Sequence, residues 1–227
     1  MNIIKCNQYT AEWWDARRGI PTASEFSRIV TPKKWDFAKG SSTYAQELIA
    51  QLYDPFYGCH DEFMSTAMSN GSAMEPEARR YYEFSRGVQV EQVGFCLTDD
   101  GRFGCSPDGL VGEDGGLECK SPKPTTQIKW LLGGGVPDEH LAQCHGCMYV
   151  TGRKWWDFLS YHPSIPHLLV RVERDEKTEA LGEHLDTFDK SYRAAREEIE
   201  AKQKPSLSRT VSVGGEEYEE EFVMSYF

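Results

Sequence analysis

Two carboxylates and a lysine near the middle of the chain have types and spacing suited to cleaving phosphodiester bonds. Nine residues separate Asp108 from Glu118, and Lys120 follows two positions later. Side chains two apart on a strand share a face, so Glu118 and Lys120 project together while Cys119 offers its backbone carbonyl. Mg²⁺ prefers such oxygen ligands, and Lys120, with a pKa lowered by the metal, would orient or deprotonate the attacking water.

Neither the Pro-Asp pair nor the acidic residue two positions before a lysine is specific by itself. An acidic residue two positions before a lysine recurs at 175–177 and 200–202, and a second Pro-Asp pair is Pro137-Asp138. A site that pairs Asp138 with Asp175 and Lys177 is less favoured, because Asp138 stands where a helix N-cap is expected. Glu200 and Lys202 are predicted to lie on a helix, where positions i and i+2 do not face each other. A structural role also stays open, with Asp108 supporting a turn and Glu118 and Lys120 on a solvated strand face.

A run of short strands would position these groups. Alternating, β-prone stretches between turn residues predict strands over 88–93, 95–97, 102–105, 110–111, 117–120, 155–161 and 167–173. Asp108 and Glu118 then belong to the two arms of one hairpin, which brings them together.

Helices are predicted on both sides of the strand region. Residues 11–30 indicate a short helix, a turn at 19–21 and a second helix capped by Thr22 or Ser24. Further helices are predicted over 44–53, from an Asn70-Gly71-Ser72 cap to Arg86, and over 137–150, with a loop or irregular helix over 56–70. Apolar residues spaced by three and four predict a last helix over 181–199, packed on the core or, less favoured, forming a trimer or coiled-coil seam.

The length of 227 residues favours one folded domain over residues 1–204. Residues 205–227 lack a helical period and contain a short acidic cluster, so we expect an acidic C-terminal tail. A mobile tail is the favoured interpretation, ahead of a strand pairing within an oligomer or a partner-docking peptide.

The composition is that of a globular protein, and we expect the protein to remain in the cytoplasm. No apolar run reaches the ~18 residues of a membrane helix, and the N-terminus lacks a signal-peptide pattern. The odd count of seven cysteines excludes a full disulfide framework and favours a reducing compartment.

The formal net charge of −11 argues at first against a nucleic-acid partner. The acidity is uneven, however: residues 173–227 contribute −7, whereas residues 1–60 have a balance of +1. Because bound divalent cations would also reverse the field around acidic ligands, net charge does not decide the question.

The chain resembles the PD-(D/E)XK nuclease superfamily and, within it, the phage lambda exonuclease or YqaJ-type viral recombinase family. Residues 13–25 are similar to that family's N-terminal signature, and 71–79 to its glutamate-bearing helix. Residues 105–110 and 117–122 correspond to the nuclease core, 142–151 to the following helix and 173–177 to the end of the last core strand. The resemblance spans roughly residues 11–203.

The resemblance implies roles for residues outside the central motif. Glu75 would complete a second metal position beside Asp108, Glu118 and the Cys119 carbonyl, so that each site holds one or two Mg²⁺ ions, with Mn²⁺ as a substitute. A pocket for the 5′-phosphate of the digested strand would consist of Arg17, Ser24 and Ser106, which agrees with the fit of arginine to phosphate. Gln143 would lie close behind the metal ligands.

The resemblance also implies an α/β fold with a restriction-endonuclease-like core, in which helices flank a central mixed sheet. The implied activity is 5′ to 3′ exonucleolytic digestion of linear double-stranded DNA by a processive, ring-shaped homotrimer. The implied setting is phage-type recombination in a bacterial host, with a single-strand annealing protein as partner. Alternatives are another PD-(D/E)XK endonuclease and a DNA-end-binding module without catalysis.

Several of these residues also have simpler interpretations. Glu75 could pair with Arg79 on a helix surface, and Arg17 could pair with a nearby surface acid. A zinc site of His140, Cys144 and Cys147 is less favoured because no second ligand pair has a suitable spacing. Residues Trp130, Trp155 and Trp156 could stack on DNA bases, but aromatic residues on predicted strands more often belong to the core.

Overall fold

The structure is a computed structural model that describes residues 1–54, 57, 66–202, 207–213 and 216–222. The helices are α1 (Ala11–Arg17), α2 (Ser41–Tyr53), α3 (Thr66–Arg86), α4 (Pro124–Gly133), α5 (Asp138–Thr151) and α6 (Glu176–Lys202), with a 3₁₀ helix over Ala23–Arg28. The strands are β1 (Asn2–Ile4), β2 (Val90–Glu91), β3 (Phe95–Leu97), β4 (Gly104–Cys105), β5 (Gly109–Val111), β6 (Gly115–Lys120), β7 (Trp155–His162), β8 (Ile165–Glu173), β9 (Leu207–Val213) and β10 (Glu216–Phe222).

A five-stranded mixed sheet forms the centre of the fold, with the strand order β2-β5-β6-β7-β8. The pair β6 and β7 is parallel and the other neighbours are antiparallel. Parallel strands need a crossover, and α4 and α5 supply it between β6 and β7. The predicted fold class, a mixed sheet flanked by helices, is therefore confirmed.

A smaller antiparallel sheet, β1-β3-β4, joins the N-terminal segment to the site region. The residues just before the 3₁₀ helix also reach this sheet, because Thr22 bridges to Gly104 and the Gly104 amide donates to the Pro21 carbonyl at 3.0 Å. These contacts hold the stretch that contains Thr22 and Ser24 beside the end of β4.

The main core lies between the central sheet and the helices α2, α5 and α6. Trp156 and Phe158 of β7 are fully buried in it, together with Leu181, Leu185 and Phe188 of α6. The last helix therefore packs on the core, as its apolar period predicts.

The helix α5 passes very close to the 3₁₀ helix at Gly146. A Cβ atom built at Gly146 would lie 2.5 Å from Phe26 Cδ2 and 3.0 Å from Ala23 Cβ. A glycine at this position therefore permits the close contact between the helix that carries Gln143 and the segment that carries Ser24.

Some sequence-based boundaries were wrong. The helix α3 begins at Thr66, four residues before the predicted Asn70-Gly71-Ser72 cap, and it continues through Pro76. The predicted strand over 88–93 is reduced to β2, which pairs with β5 at only two positions. The helix α4 was not predicted, and Pro137 rather than Asp138 occupies the N-cap of α5. Of the predicted irregular stretch 56–70, residues 56 and 58–65 lie outside the described residues, and residues 66–70 belong to α3.

The segment expected to be a mobile tail contains a hairpin. Strands β9 and β10 pair antiparallel, with Leu207 opposite Phe222 and Val213 opposite Glu216. The absence of a helical period was correctly recognised, but a strand was considered only as one that pairs within an oligomer, and the hairpin within the chain was not predicted. Within the described part of the chain, no helix is long and apolar enough to cross a membrane.

Candidate active site

The hairpin of β5 and β6 brings Asp108, Glu118 and Lys120 together. Asp108 immediately precedes β5, and its Oδ2 accepts a 2.6 Å hydrogen bond from the backbone amide of Cys119 on β6. Glu118 and Lys120 project to the same face, where Lys120 Nζ lies 2.6 Å from Glu118 Oε1. Alternation along β6 places Glu118 and Lys120 on one face, and the hairpin brings Asp108 beside them, as the sequence predicts.

Glu118 is almost completely buried, with 2% of its side chain exposed. Its Oε1 also accepts a 2.7 Å hydrogen bond from Gln143 Nε2 on α5, so Gln143 contacts the site directly. The second oxygen, Oε2, is buried and has no hydrogen-bond partner. A buried carboxylate oxygen without a partner is costly, so this atom is suited to a ligand that the protein itself does not supply.

Glu75 reaches the same region from α3. It forms an ion pair with Arg79, one turn further along, and both side chains are mostly buried. Arg79 Nε also donates to the backbone carbonyl of Asp108 at 3.1 Å. Glu75 and Arg79 therefore do not form an isolated surface ion pair, because Arg79 also links α3 to the backbone at Asp108.

Like charges make this cluster unfavourable by itself. Burial, followed by the negative charges of Glu118 and Glu75, raises the pKa of Asp108 well above its usual range. Burial also raises the pKa of Glu75, with Glu118 adding to it and Arg79 opposing it. A bound cation would relieve the repulsion among the three carboxylates.

The lowered pKa expected for Lys120 depends on a bound metal, and without one the neighbouring carboxylates have the opposite effect. Burial works to lower the pKa of Lys120, but the charges of Glu118 and Asp108 outweigh burial and raise it above its ordinary value. The chain's own groups therefore hold Lys120 as an ammonium, and a lowered pKa would require a cation that neutralises those carboxylates.

The donor set fits a hard divalent cation, although its ligand atoms are not yet gathered around one point. Among the described residues, no three His, Cys, Asp or Glu side chains form a ready metal-binding group. Glu118 Oε1, Asp108 Oδ2 and Glu75 each contact a protein donor instead. The unpartnered Glu118 Oε2 and the all-oxygen carboxylate set are nevertheless what Mg²⁺ or Mn²⁺ prefers.

A second cluster, the predicted phosphate pocket, lies beside the carboxylates. Trp13 Nε1 and Arg17 Nη1 both donate to Ser106 Oγ, at 2.8 and 3.0 Å. The Arg17 guanidinium carbon lies 4.2 Å from the centroid of the Trp13 ring, which orients it by a cation–π contact. Arg17 and Ser106, two of the three predicted pocket residues, are thus in direct contact.

Ser24, the third predicted pocket residue, joins the cluster through Thr22. Thr22 Oγ1 lies 3.2 Å from Ser24 Oγ and 3.5 Å from Arg17 Nη2. Thr22 occupies the N-cap position of the 3₁₀ helix, but its side chain makes no capping bond there. The Thr22 hydroxyl, expected as a possible helix cap, instead contacts Ser24 and Arg17.

The structure adds residues that sequence reasoning missed. Trp13 holds Ser106, and Gln8 Nε2 donates to the carbonyls of Val93 and Pro107 at 3.2 and 2.9 Å. Spacing offers a signal for Trp13, since it lies four residues before Arg17 on α1 and therefore shares its face. No local pattern indicates Gln8, because its contacts lie 85 and 99 residues away in sequence.

The less favoured sequence interpretations are not supported. Cys144 and Cys147 are buried in the core, and His140 stacks on Phe158 with a centroid distance of 5.4 Å. Trp130 and Trp156 are buried, whereas Trp155 lies beneath the Arg171 guanidinium at 3.6 Å. These aromatic rings belong to the protein interior or to intramolecular stacks.

Comparison with known proteins identifies the family. The family model of the YqaJ-like viral recombinase domain matches residues 12–154, more than half of the chain. The chain belongs to this family. The matched range contains every residue of the carboxylate cluster and of the phosphate pocket.

Solved structures agree with this membership. The alkaline exonuclease LHK-Exo from Laribacter hongkongensis is 33% identical, with a TM-score of 0.75 over 85% of this chain and 97% of that one. The same values apply to LHK-Exo in complex with dAMP. A phage related exonuclease from Haemophilus somnus 129PT is 13% identical, with a TM-score of 0.60 over 79% of this chain and 96% of that one, which shows a shared fold. A search of curated proteins gives no match.

Proposed function

We propose that this YqaJ-like protein is an Mg²⁺-dependent exonuclease that digests linear double-stranded DNA from 5′ to 3′. The observation that carries the proposal is the position of Ser106 and Asp108. Ser106 belongs to the phosphate pocket and Asp108 to the carboxylate cluster, and one residue separates them.

This spacing suits the release of one nucleotide at a time. Two residues of chain span at most ~7 Å, which is about the separation of the two phosphates that flank one nucleotide. A 5′-terminal phosphate held by Arg17 and Ser106 would therefore place the next phosphate beside Asp108 and Glu118. Arginine and hydroxyl donors recognise a phosphate through charge-assisted hydrogen bonds.

The chain's own residues would prepare the scissile bond. Bound Mg²⁺ would supply Lewis-acid stabilisation of the attacking and leaving oxygens. Asp108, Glu118, Glu75 and the Cys119 carbonyl would hold the metal, while Arg79 and Gln143 keep Asp108 and Glu118 in place. Lys120, 2.6 Å from Glu118, would orient the attacking water. With a bound cation neutralising the carboxylates, its neutral amine would accept the proton that the water loses as it attacks.

The relatives support the same chemistry. One is an alkaline exonuclease, and its structure in complex with dAMP contains a nucleoside monophosphate, the kind of product that an exonuclease releases. The family description, viral recombinase, supports a role in phage-type recombination within the cytoplasm of a bacterial host. A processive homotrimer and a single-strand annealing partner complete the proposal, and analytical ultracentrifugation of the purified chain tests the trimer.

The decisive assay uses duplex DNA labelled at either end, together with a covalently closed circle. With Mg²⁺ or Mn²⁺ we expect mononucleotide release from the 5′-phosphorylated end and an intact circle, and with EDTA no release. Glu118→Gln should abolish release, whereas Glu113→Gln, an exposed glutamate in the turn before β6, should not. Cleavage of the circle would instead indicate an endonuclease, and end binding without metal-dependent release would indicate a silent binding module.

A further inference from the structure

Tyr9 stands beside the candidate site in a backbone conformation that tyrosine rarely adopts. Its φ is 66°, in the left-handed region that favours glycine, and half of its side chain is exposed. The ring lies 5.2 Å from the ring of Trp13, at a tilt of 44°. One side of the phenol ring is therefore supported by an aromatic neighbour while the rest is open to a ligand.

Contacts on both sides of Tyr9 fix this conformation. Gln8 is bound to the carbonyl of Pro107, the residue immediately before Asp108, at 2.9 Å. Thr10 caps α1, where its Oγ1 accepts from the Trp13 amide at 3.4 Å and donates to the Asn7 carbonyl at 2.7 Å. Unfavourable backbone conformations persist where the surroundings hold them, and they are concentrated at ligand-binding positions.

Contacts of Tyr9 and of its neighbours connect its ring to both the phosphate pocket and the carboxylate cluster. Trp13, its aromatic neighbour, is the residue that donates to Ser106 in the phosphate pocket. On the other side, Gln8, the residue before Tyr9, is bound to the carbonyl of Pro107, which immediately precedes Asp108. Burial and then the charges of Asp108 and Glu75 raise the pKa of Tyr9, so the phenol stays neutral. The ring thus borders the space between the terminal phosphate and the scissile phosphate, where the first nucleoside would lie.

We propose that Tyr9 is a positioning residue whose ring stacks on the base of the 5′-terminal nucleotide. The inference rests on the proposed function, because it assumes a 5′-phosphate in the Arg17 pocket. Stacking accepts every base, since each has a π face, so it would align the terminal nucleotide without imposing a sequence preference. Aligning that nucleotide would also align the phosphodiester bond that follows it.

The test compares duplex ends that differ only in the terminal base. One 5′-phosphorylated duplex carries 2-aminopurine at the 5′-terminal position and the other carries an abasic tetrahydrofuran nucleotide there. Binding is measured with Ca²⁺, without turnover, and release is measured with Mg²⁺. The proteins are wild type, Tyr9→Phe, Tyr9→Ala and, as a matched control, Tyr53→Ala, which removes a similarly exposed tyrosine at the end of α2.

With the 2-aminopurine end, Tyr9→Ala should weaken binding roughly 5- to 150-fold, which corresponds to the loss of one base–aromatic stack. It should also remove the quenching of 2-aminopurine fluorescence on binding. With the abasic end, Tyr9→Ala and wild type should bind alike. Tyr9→Phe retains the ring and should behave as wild type, and Tyr53→Ala should show no base-dependent loss.

A Tyr9→Gly variant keeps the test informative if Tyr9→Ala folds poorly. Glycine adopts a φ near +66° without the steric cost of a Cβ, so Tyr9→Gly should melt at a higher temperature than Tyr9→Ala and still lose the base-dependent binding. Equal losses on the base and abasic ends, or retained quenching in Tyr9→Gly, would overturn the stacking proposal. If wild type releases no nucleotide with Mg²⁺, the proposed function fails, while the Ca²⁺ binding measurements still decide the role of Tyr9.

Discussion

Replacing Arg17 by alanine should remove the preference for 5′-phosphorylated ends. Arg17 Nη1 lies 3.0 Å from Ser106 Oγ, and its guanidinium is held over the Trp13 ring, so the group is oriented before any phosphate binds. A hydrogen bond to a charged group contributes ~1.5–3 kcal/mol. At ~1.4 kcal/mol per factor of ten, Arg17→Ala should lower kcat/KM on phosphorylated ends by roughly 10- to 150-fold.

The assay is a competition between two duplexes of identical sequence that carry a 5′-phosphate or a 5′-hydroxyl. Wild type should favour the phosphorylated duplex, and Arg17→Ala should digest both at nearly the rate that wild type shows on the hydroxyl end. Arg17→Lys keeps a charge without the planar fork and should recover only part of the preference. Arg18→Ala removes the neighbouring arginine, which pairs with Asp15, and should retain the full preference.

Parallel thermal melts control for the loss of the contact between Arg17 and Trp13. An equal fall in kcat/KM on phosphorylated and hydroxyl ends would refute the assignment of Arg17 to a terminal-phosphate pocket. Such a result would indicate that Arg17 supports the fold or the DNA backbone in general.

Two further variants test the site and its supporting core. Lys120→Ala should lower kcat by roughly 10²- to 10⁴-fold, the contribution of a positioned acid–base group, whereas Lys154→Ala, an exposed lysine beside Asp114, should retain wild-type rates. Wild-type rates in Lys120→Ala would remove it from the mechanism. Gly146→Ala places a Cβ 2.5 Å from Phe26 and should cost about 1–3 kcal/mol of unfolding free energy, seen as a lower melting temperature. Gly133→Ala meets no atom within 4 Å and should melt no lower than wild type, so equal melting of the two variants would contradict the close packing of α5.

The central motif was predictable because local rules determine it. Alternation along β6 alone places Glu118 and Lys120 on one face, and the turn residues before β6 return the chain beside Asp108. The same rules identified β7, β8 and the apolar period of α6. Each of these strands and helices buries one face, and the apolar pattern that results is contained in a single stretch of sequence.

Other elements depend on signals that were available but weak. The helix α4 begins at Pro124, and its C-cap residue Gly134 has the left-handed conformation, which is the usual asymmetry of helix ends. Its β-branched residues Thr125 and Thr126 favour strand, and its glycine-rich end favours a loop, so local propensity pointed away from a helix. The Asn70-Gly71-Ser72 stretch has cap-like residues, yet the structure places it inside α3.

Contacts between distant segments were beyond local rules. Arg79 reaches the carbonyl of Asp108 across 29 residues of sequence, and Gln8 reaches that of Pro107 across 99. The positive φ of Tyr9 is equally invisible, because residue type would favour an ordinary conformation there. Such features follow from the packing of the whole chain, and they define how the site is held.

The charge arrangement at the site also explains how an acidic protein would bind DNA. Glu75, Asp108 and Glu118 face Arg79 and Lys120, so with every group ionised the cluster has an excess of one negative charge. One Mg²⁺ reverses that excess to one positive charge, at the position where the scissile phosphate would lie. The Arg17 pocket, one nucleotide away, adds a cation that is present with or without metal. A terminal phosphate would therefore be bound at Arg17 in either state, while the scissile phosphate would meet a positively charged site only when the metal is bound, which makes productive alignment, rather than end recognition, the metal-dependent step.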